Sequence, residues 1–276
     1  MKITVLIENS VGVLIPQGLA GEHGLSVWIE HEGHKILFDT GQTGKVVENA
    51  LRLGVNLKEA EAIVLSHGHY DHTGGLKAVL EFINKPIPVY AHPDIFSLHC
   101  VSSPVDRYIG IPFRKEELEG LGANFKWIKK PTEIFPGIWL SGEIPRKTTF
   151  EKIDESMYIK EGDKKLPDPI LDDMSLFIKT PKGLVVILGC AHSGVINIIE
   201  HAKEVTGEEK IFAVIGGTHL GPASSKQLEE TLIRLAQMEV SLIAANHCTG
   251  LSVASKFREI FGSKFRFATT GEIISV

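Results

Sequence analysis

The sequence predicts an α/β layered protein, and three observations carry that prediction. Short runs rich in Val, Ile and Leu alternate with segments whose apolar residues recur at helical spacing. The second half of the chain repeats the grammar of the first. The 276 residues, 43% hydrophobic and 23% charged, suffice for one large domain or two tightly packed halves.

Taken in order, residues 2–7, 25–30, 35–39, 61–65 and 87–91 read as strands. Between them, 43–53 and 73–83 read as helices. In the second, Leu76, Val79, Leu80 and Ile83 fall at i, i+3, i+4 and i+7, with Thr73 placed as N-cap. Residues 175–180 and 184–188 read as strands, followed by a helix over about 194–204. That helix has Val195, Ile198, Ile199 and Ala202 on one face and Ser193 as its cap. A strand at 211–215, a helix at about 225–237 and a strand at 240–245 complete the pattern. The layout of 27–39 (strand, glycine turn, strand, polar residue) recurs at 176–190. The chain is therefore read as a single domain, 1–276, made of two similar halves. The proline-rich middle, about 92–172, reads as a loop-rich insertion with long loops at 102–115 and 143–172, expected to face substrate.

Bulk properties narrow the partners. A formal net charge of −5 gives no general attraction to nucleic acid or an anionic membrane. No window approaches the roughly 20 apolar residues that span a bilayer, and residues 1–8 read as a strand, not a signal peptide. Cys100, Cys190 and Cys248 are odd in number and far apart. That argues against a disulfide framework and for a reducing compartment, so a cytoplasmic protein is expected.

The strongest local signal follows the apolar run 62–65. After Ser66 come His67, His69, Asp71 and His72, closed by Thr73-Gly74-Gly75. In an extended segment His67 and His69 project the same way and can share one metal. Asp71 and His72, in the turn beyond, can reach a second. Imidazole with carboxylate suits zinc, iron(II) or manganese(II).

His67-x-His69-x-Asp71-His72 after an apolar strand, with Ile36-Leu37-Phe38-Asp39-Thr40-Gly41 upstream, resembles the signature of metallo-β-lactamase-fold hydrolases. The resemblance implies a four-layer αββα sandwich with a metal site, often dinuclear, at one edge. It also implies that Asp39 orients a ligand histidine. Within the superfamily the chain is similar to a branch labelled dihydropterin ribofuranosyl-aminobenzene phosphate synthase-like. The matching segments are 22–26, 142–146, 172–176, 189–194, 216–220 and 247–250.

The same resemblance makes His192 and His247 ligands from the second half of the chain. One departure stands out. Most members carry a bridging aspartate where this chain reads Gly189-Cys190-Ala191-His192. Either Cys190 bridges as a thiolate, or His192 supplies the missing ligand and Cys190 merely packs. His219, by analogy with phosphodiesterase members, contacts substrate or donates a proton to the leaving group; direct ligation is the alternative. His23, Glu143 and Arg146 are candidates for lining the site. His31, His34, His92, His99 and His201 are assigned to surface or packing.

The chemistry expected is hydrolysis by a metal-activated water, with one or two Zn2+, Fe2+ or Mn2+ ions lowering its pKa from ~15.7 towards ~7. Asp71 would hold that nucleophile and His219 would serve the leaving group. The expected substrate is a phosphorylated, nucleotide- or pterin-like small molecule. A phosphodiesterase acting on cyclic phosphates and a non-catalytic metal-dependent ligand sensor are the alternatives.

Overall fold

A computed structural model describes residues 1–276. The chain divides into two compact units. One comprises residues 1–127, 155–172 and 269–276; the other comprises 128–154 and 173–268.

The first unit is built on a seven-stranded sheet in the order Ile273–Ser275, Lys2–Ile7, Ser26–His31, His34–Phe38, Ala62–Val64, Ile87–Ala91, Ala123–Trp127. The first four strands pair antiparallel and the last three join in parallel. Helices Lys45–Arg52 and Leu76–Ile83 supply the crossovers that parallel pairing requires. The apolar stripe of Leu76–Ile83 is fully used: Leu76, Val79, Leu80 and Ile83 are all buried. Each such side chain contributes roughly 1.5–3 kcal/mol. A separate four-stranded antiparallel sheet, Lys164–Pro167, Met157–Glu161, His99–Val101 and Arg107–Tyr108, belongs to the same unit.

The second unit has its own seven-stranded sheet and its own core. Its order is Phe265–Phe267, Leu242–Asn246, Ile211–Gly217, Gly183–Leu188, Leu176–Thr180, Ile138–Leu140, Thr132–Phe135. From the hairpin Leu176–Leu188, three strands join in parallel on one side and two antiparallel on the other. This is the same succession of senses as in the first sheet. Helices Val195–Thr206, Ser225–Gln237 and Leu251–Phe261 cover it.

Several details differ from the sequence reading. Thr73 caps nothing: its hydroxyl donates to the His69 carbonyl, residues 70–73 form their own short helical turn, and Gly75 is the N-cap of Leu76–Ile83. Ser193 is also not a cap. Gly194 holds that position in Val195–Thr206, and the side chain that takes up the exposed N–H groups is Glu151, which accepts from Ile196 at 2.8 Å and Asn197 at 3.0 Å. Residues 92–172 carry more regular structure than their proline content predicts, including strands of all three sheets and the helix Lys115–Gly120. No helix is long and apolar enough to cross a membrane.

Candidate metal centre

Ala62–Val64 is a central strand of the first unit, buried on both faces, and the chain leaves it at Ser66. There Asp39 takes control. This aspartate ends His34–Phe38, the neighbouring parallel strand, and is fully buried with φ 57°. Its carboxylate accepts three bonds of 2.7 Å, from the Ser66 backbone N–H, the Ser66 hydroxyl and His72 Nδ1. A carboxylate only accepts, so Nδ1 of His72 carries the proton and Nε2 is left with its lone pair.

The same logic extends to His67, because the Ser66 hydroxyl that donates to Asp39 can only accept from His67 Nδ1. His67 Nδ1 lies 2.9 Å from the Ser66 hydroxyl, and His67 Nε2 lies 3.0 Å from His69 Nδ1. The His67 ring centroid is 4.6 Å from that of His69 and 4.2 Å from that of His72. His69 caps the turn Tyr70–Thr73 through its carbonyl, which accepts from the N–H groups of His72 and Thr73. Burial and the neighbouring His99 charge depress the His69 pKa to about 3, so this ring is neutral. Asp71 Oδ2 sits 3.2 Å from His23 Nε2 and 3.9 Å from His72 Nε2. His23, predicted to line the site, is thus in contact with Asp71.

A divalent cation fits this donor set. Two imidazole nitrogens bound at ~2.0–2.1 Å to one ion lie roughly 3 Å apart, which is the His67–His69 spacing. The neutral His69 ring, the Nε2 lone pair of His72 and the adjacent Asp71 carboxylate are donors of the kind such an ion takes.

In the second unit, the loop after Gly183–Leu188 brings Cys190 and His192 together with His219, their ligand atoms all within 4.8 Å of one another. Cys190, His247 and Cys248 meet the same limit. The His192 and His219 rings are 4.2 Å apart. Ser193 N–H donates to Asp173 Oδ2 at 2.7 Å, anchoring the loop. The His219 backbone N–H donates to Cys248 Sγ at 3.1 Å. Burial works against charge on His219, but Cys248, with Asp154 and Asp173, outweighs it and raises the His219 pKa. Burial likewise opposes a Cys248 thiolate, yet Cys190, His219 and His247 hold its pKa well below the ordinary thiol value. Ala191, His219 and His247 all have positive φ, at 58°, 49° and 52°.

The softer candidates fall out as follows. Arg146 reaches the Ser193 hydroxyl at 3.5 Å. Glu143 pairs with Lys129 at 3.2 Å, both side chains more than a third exposed. His34 pairs with Glu61 near the surface, and His201 Nε2 donates to the buried Ser141 carbonyl at 3.0 Å. His99 is different. It is buried between Asp168 at 2.6 Å and Asp172 at 3.5 Å. Burial opposes its charge, but the two carboxylates raise its pKa to about 9. Sequence reasoning assigned His99 to surface or packing and gave no role to Asp168, Cys248 or Glu151; the one available signal was the density of acids in Asp168-Pro169-Ile170-Leu171-Asp172-Asp173.

Comparison with known proteins shows the family and the fold. The family model of the metallo-β-lactamase superfamily matches residues 19–247. A relative from Methanocaldococcus jannaschii, named 7,8-dihydropterin-6-methyl-4-(β-D-ribofuranosyl)-aminobenzene-5'-phosphate synthase, is 35% identical over 99% of this chain and 96% of its own. A crystal structure described as Tm1679, a metal-dependent hydrolase of the β-lactamase superfamily, superposes with a TM-score of 0.86 at 27% identity, covering 100% of this chain and 99% of the other. Zn(2+)-bound PqqB from Methylobacterium extorquens shares the fold at a TM-score of 0.58 and 14% identity, covering 100% of both chains. By sequence and by structure, this chain belongs to the metallo-β-lactamase superfamily and has its fold.

Proposed function

We propose that this protein is a metal-dependent hydrolase acting on a phosphorylated, nucleotide- or pterin-like small molecule. The observation that carries the reading is the convergence of His67, His69, Asp71 and His72, with Asp39 fixing the tautomer of His72. On this reading His67, His69, Asp71 and His72 hold one or two divalent ions, and His192 and His247 are the ligands proposed from the second half of the chain, with Cys190 available as a thiolate. When bound, such ions activate a water and polarise the electrophile.

The chain's own residues would do the rest. Asp39 holds His72 in one orientation through a charge-assisted bond. Asp71 is placed to accept a proton or hydrogen bond from the attacking water, and His23 beside it is placed to relay that proton outward. His219, whose pKa is raised, is suited to donate a proton to a departing oxygen or nitrogen. Arg146, at the loop of Ser193, offers a cation for a substrate phosphate.

The substrate class draws support from the name of the Methanocaldococcus relative, which contains both a pterin and an aminobenzene ribofuranosyl phosphate. That relative is named a synthase, so group transfer to a phosphorylated acceptor is the second reading. Protein purified without oxygen is expected to carry one to two zinc or iron ions per chain by elemental analysis. The double substitution His67→Ala, His69→Ala is expected to remove most of that metal; full retention would sink the site. A screen of nucleotides, cyclic nucleotides and pterin phosphates with metal-loaded protein then separates the readings. Hydrolysis needs only water, whereas a synthase turns over only when a second substrate is present.

A further inference from the structure

We propose that His99, Asp168 and Asp172 form a positioning device for the His67–His69 loop. The inference rests on the metal reading above, and nothing in the reaction itself requires it. All three residues are nearly inaccessible, with relative exposures of 2%, 4% and 1%. Asp168 accepts the Ile170 N–H with Oδ1 at 2.8 Å and holds His99 Nδ1 with Oδ2 at 2.6 Å. His99 Nε2 lies 3.5 Å from Asp172 Oδ2, and that same oxygen accepts the backbone N–H of Gly68 at 2.7 Å. The chain of contacts therefore ends on the one residue between His67 and His69.

The rest of the surroundings act on the same peptide. The His99 ring stands edge-on to the His69 ring, with centroids 5.5 Å apart at 89°. A Cβ on Gly68 would lie 2.4 Å from the Ile95 carbonyl and 3.1 Å from two His99 ring atoms, so the close approach requires glycine there. Ile109 bonds the His99 carbonyl with its N–H and accepts the Tyr70 N–H with its carbonyl, fixing the turn just beyond His69.

The simpler reading is an ion pair that holds the small sheet together. Two features favour positioning. Buried ion pairs are seldom worth their desolvation as stability devices, and this one leaves Asp172 Oδ1 and His99 Nε2 with no hydrogen-bond partner. Its terminal bond, moreover, is made to the ligand loop and not to the sheet. Partners of this kind set ligand orientation, and their loss weakens metal binding by about 10–100-fold.

The test is titration of metal-depleted protein with cobalt(II) alone, following affinity and the visible ligand-field spectrum. Wild-type protein is expected to bind. Asp172→Ala is expected to bind about 10–100-fold more weakly with a shifted spectrum. Asp172→Asn keeps an oxygen for the Gly68 N–H and is expected to recover most of the loss, which a purely electrostatic role would not allow. If Asp172→Ala does not fold, His99→Gln decides, because losing the imidazole should still shift the cobalt spectrum. Wild-type binding with unchanged affinity and spectrum in the folded variant overturns this proposal alone. Absence of cobalt binding by the wild type overturns the metal reading on which it stands.

Discussion

Replacing Asp39 by Asn should cost the protein its metal through a proton in the wrong place. The three donors facing the carboxylate, the Ser66 N–H, the Ser66 hydroxyl and His72 Nδ1–H, are all at 2.7 Å. An amide offers one acceptor and one donor in the same space. If its oxygen faces the Ser66 N–H, its NH2 faces His72 Nδ1, which must then lose its proton to Nε2, the nitrogen proposed to face the ion. If the amide flips, NH2 meets the Ser66 N–H in a fully buried pocket. Either arrangement sets a donor against a donor or inverts the tautomer. Metal affinity should fall about 10–100-fold, which is roughly 1.4–2.8 kcal/mol. The metal-free fold should lose about 1.5–3 kcal/mol as charge-assisted bonds are weakened. Competitive zinc titration against a chromophoric chelator reads the first quantity, and nitrogen-15 NMR of the His72 ring reads the tautomer. An affinity within twofold of wild type, with Nδ1 still protonated, would refute the reasoning.

Three further outcomes are expected. Glu151→Ala removes the acceptor for Ile196 and Asn197 N–H groups at 2.8 and 3.0 Å and should destabilise the fold by about 2–3 kcal/mol in urea denaturation; a loss below about 0.5 kcal/mol would mean water caps that helix equally well. Burial raises the Glu151 pKa above 4.5, so the folded chain binds this proton more tightly than the unfolded one. Its contribution is complete below the unfolded pKa and is lost as pH rises through the folded value. The stability of wild type relative to Glu151→Gln should therefore decline across that window and level off above it, and a widening gap with rising pH would contradict the assignment. Gly68→Ala places a methyl 2.4 Å from the rigid Ile95 carbonyl and should lower the melting temperature and metal content together; a neutral substitution would show the loop to be compliant.

Much of this protein was legible in its sequence because its core elements obey their periods. The helix Ser225–Gln237 falls on the predicted residues, and the stripe Leu76, Val79, Leu80, Ile83 is buried as its spacing requires. Asp39, named from the resemblance, lies at hydrogen-bond distance from His72, and His67 and His69 meet as alternate residues of an extended segment should. What escaped was tertiary in origin. The cap of Val195–Thr206 comes from Glu151, 45 residues before Ile196, which no local rule for Ser193 could anticipate. His99 owes its character to Asp168, 69 residues away. Cys248 entered the sequence reading only as one of three scattered cysteines, and its interest comes from the company of Cys190, His219 and His247.

The left-handed backbone at Asp39, Ala191, His219 and His247 has an evolutionary consequence. Each of these residues sits in a conformation that costs a non-glycine residue roughly 1–2 kcal/mol; Asp39 orients a candidate ligand, and the other three lie in loops that present candidate site residues. A laboratory selection for heat resistance alone should therefore find easy gains in these loops, with Ala191→Gly the mildest of them. Gains at His219 or His247 would come at the expense of the groups proposed to build the site. Thermal robustness and site geometry are in competition at the same few torsion angles, so a durable version of this protein has to be sought in the helices and sheet faces.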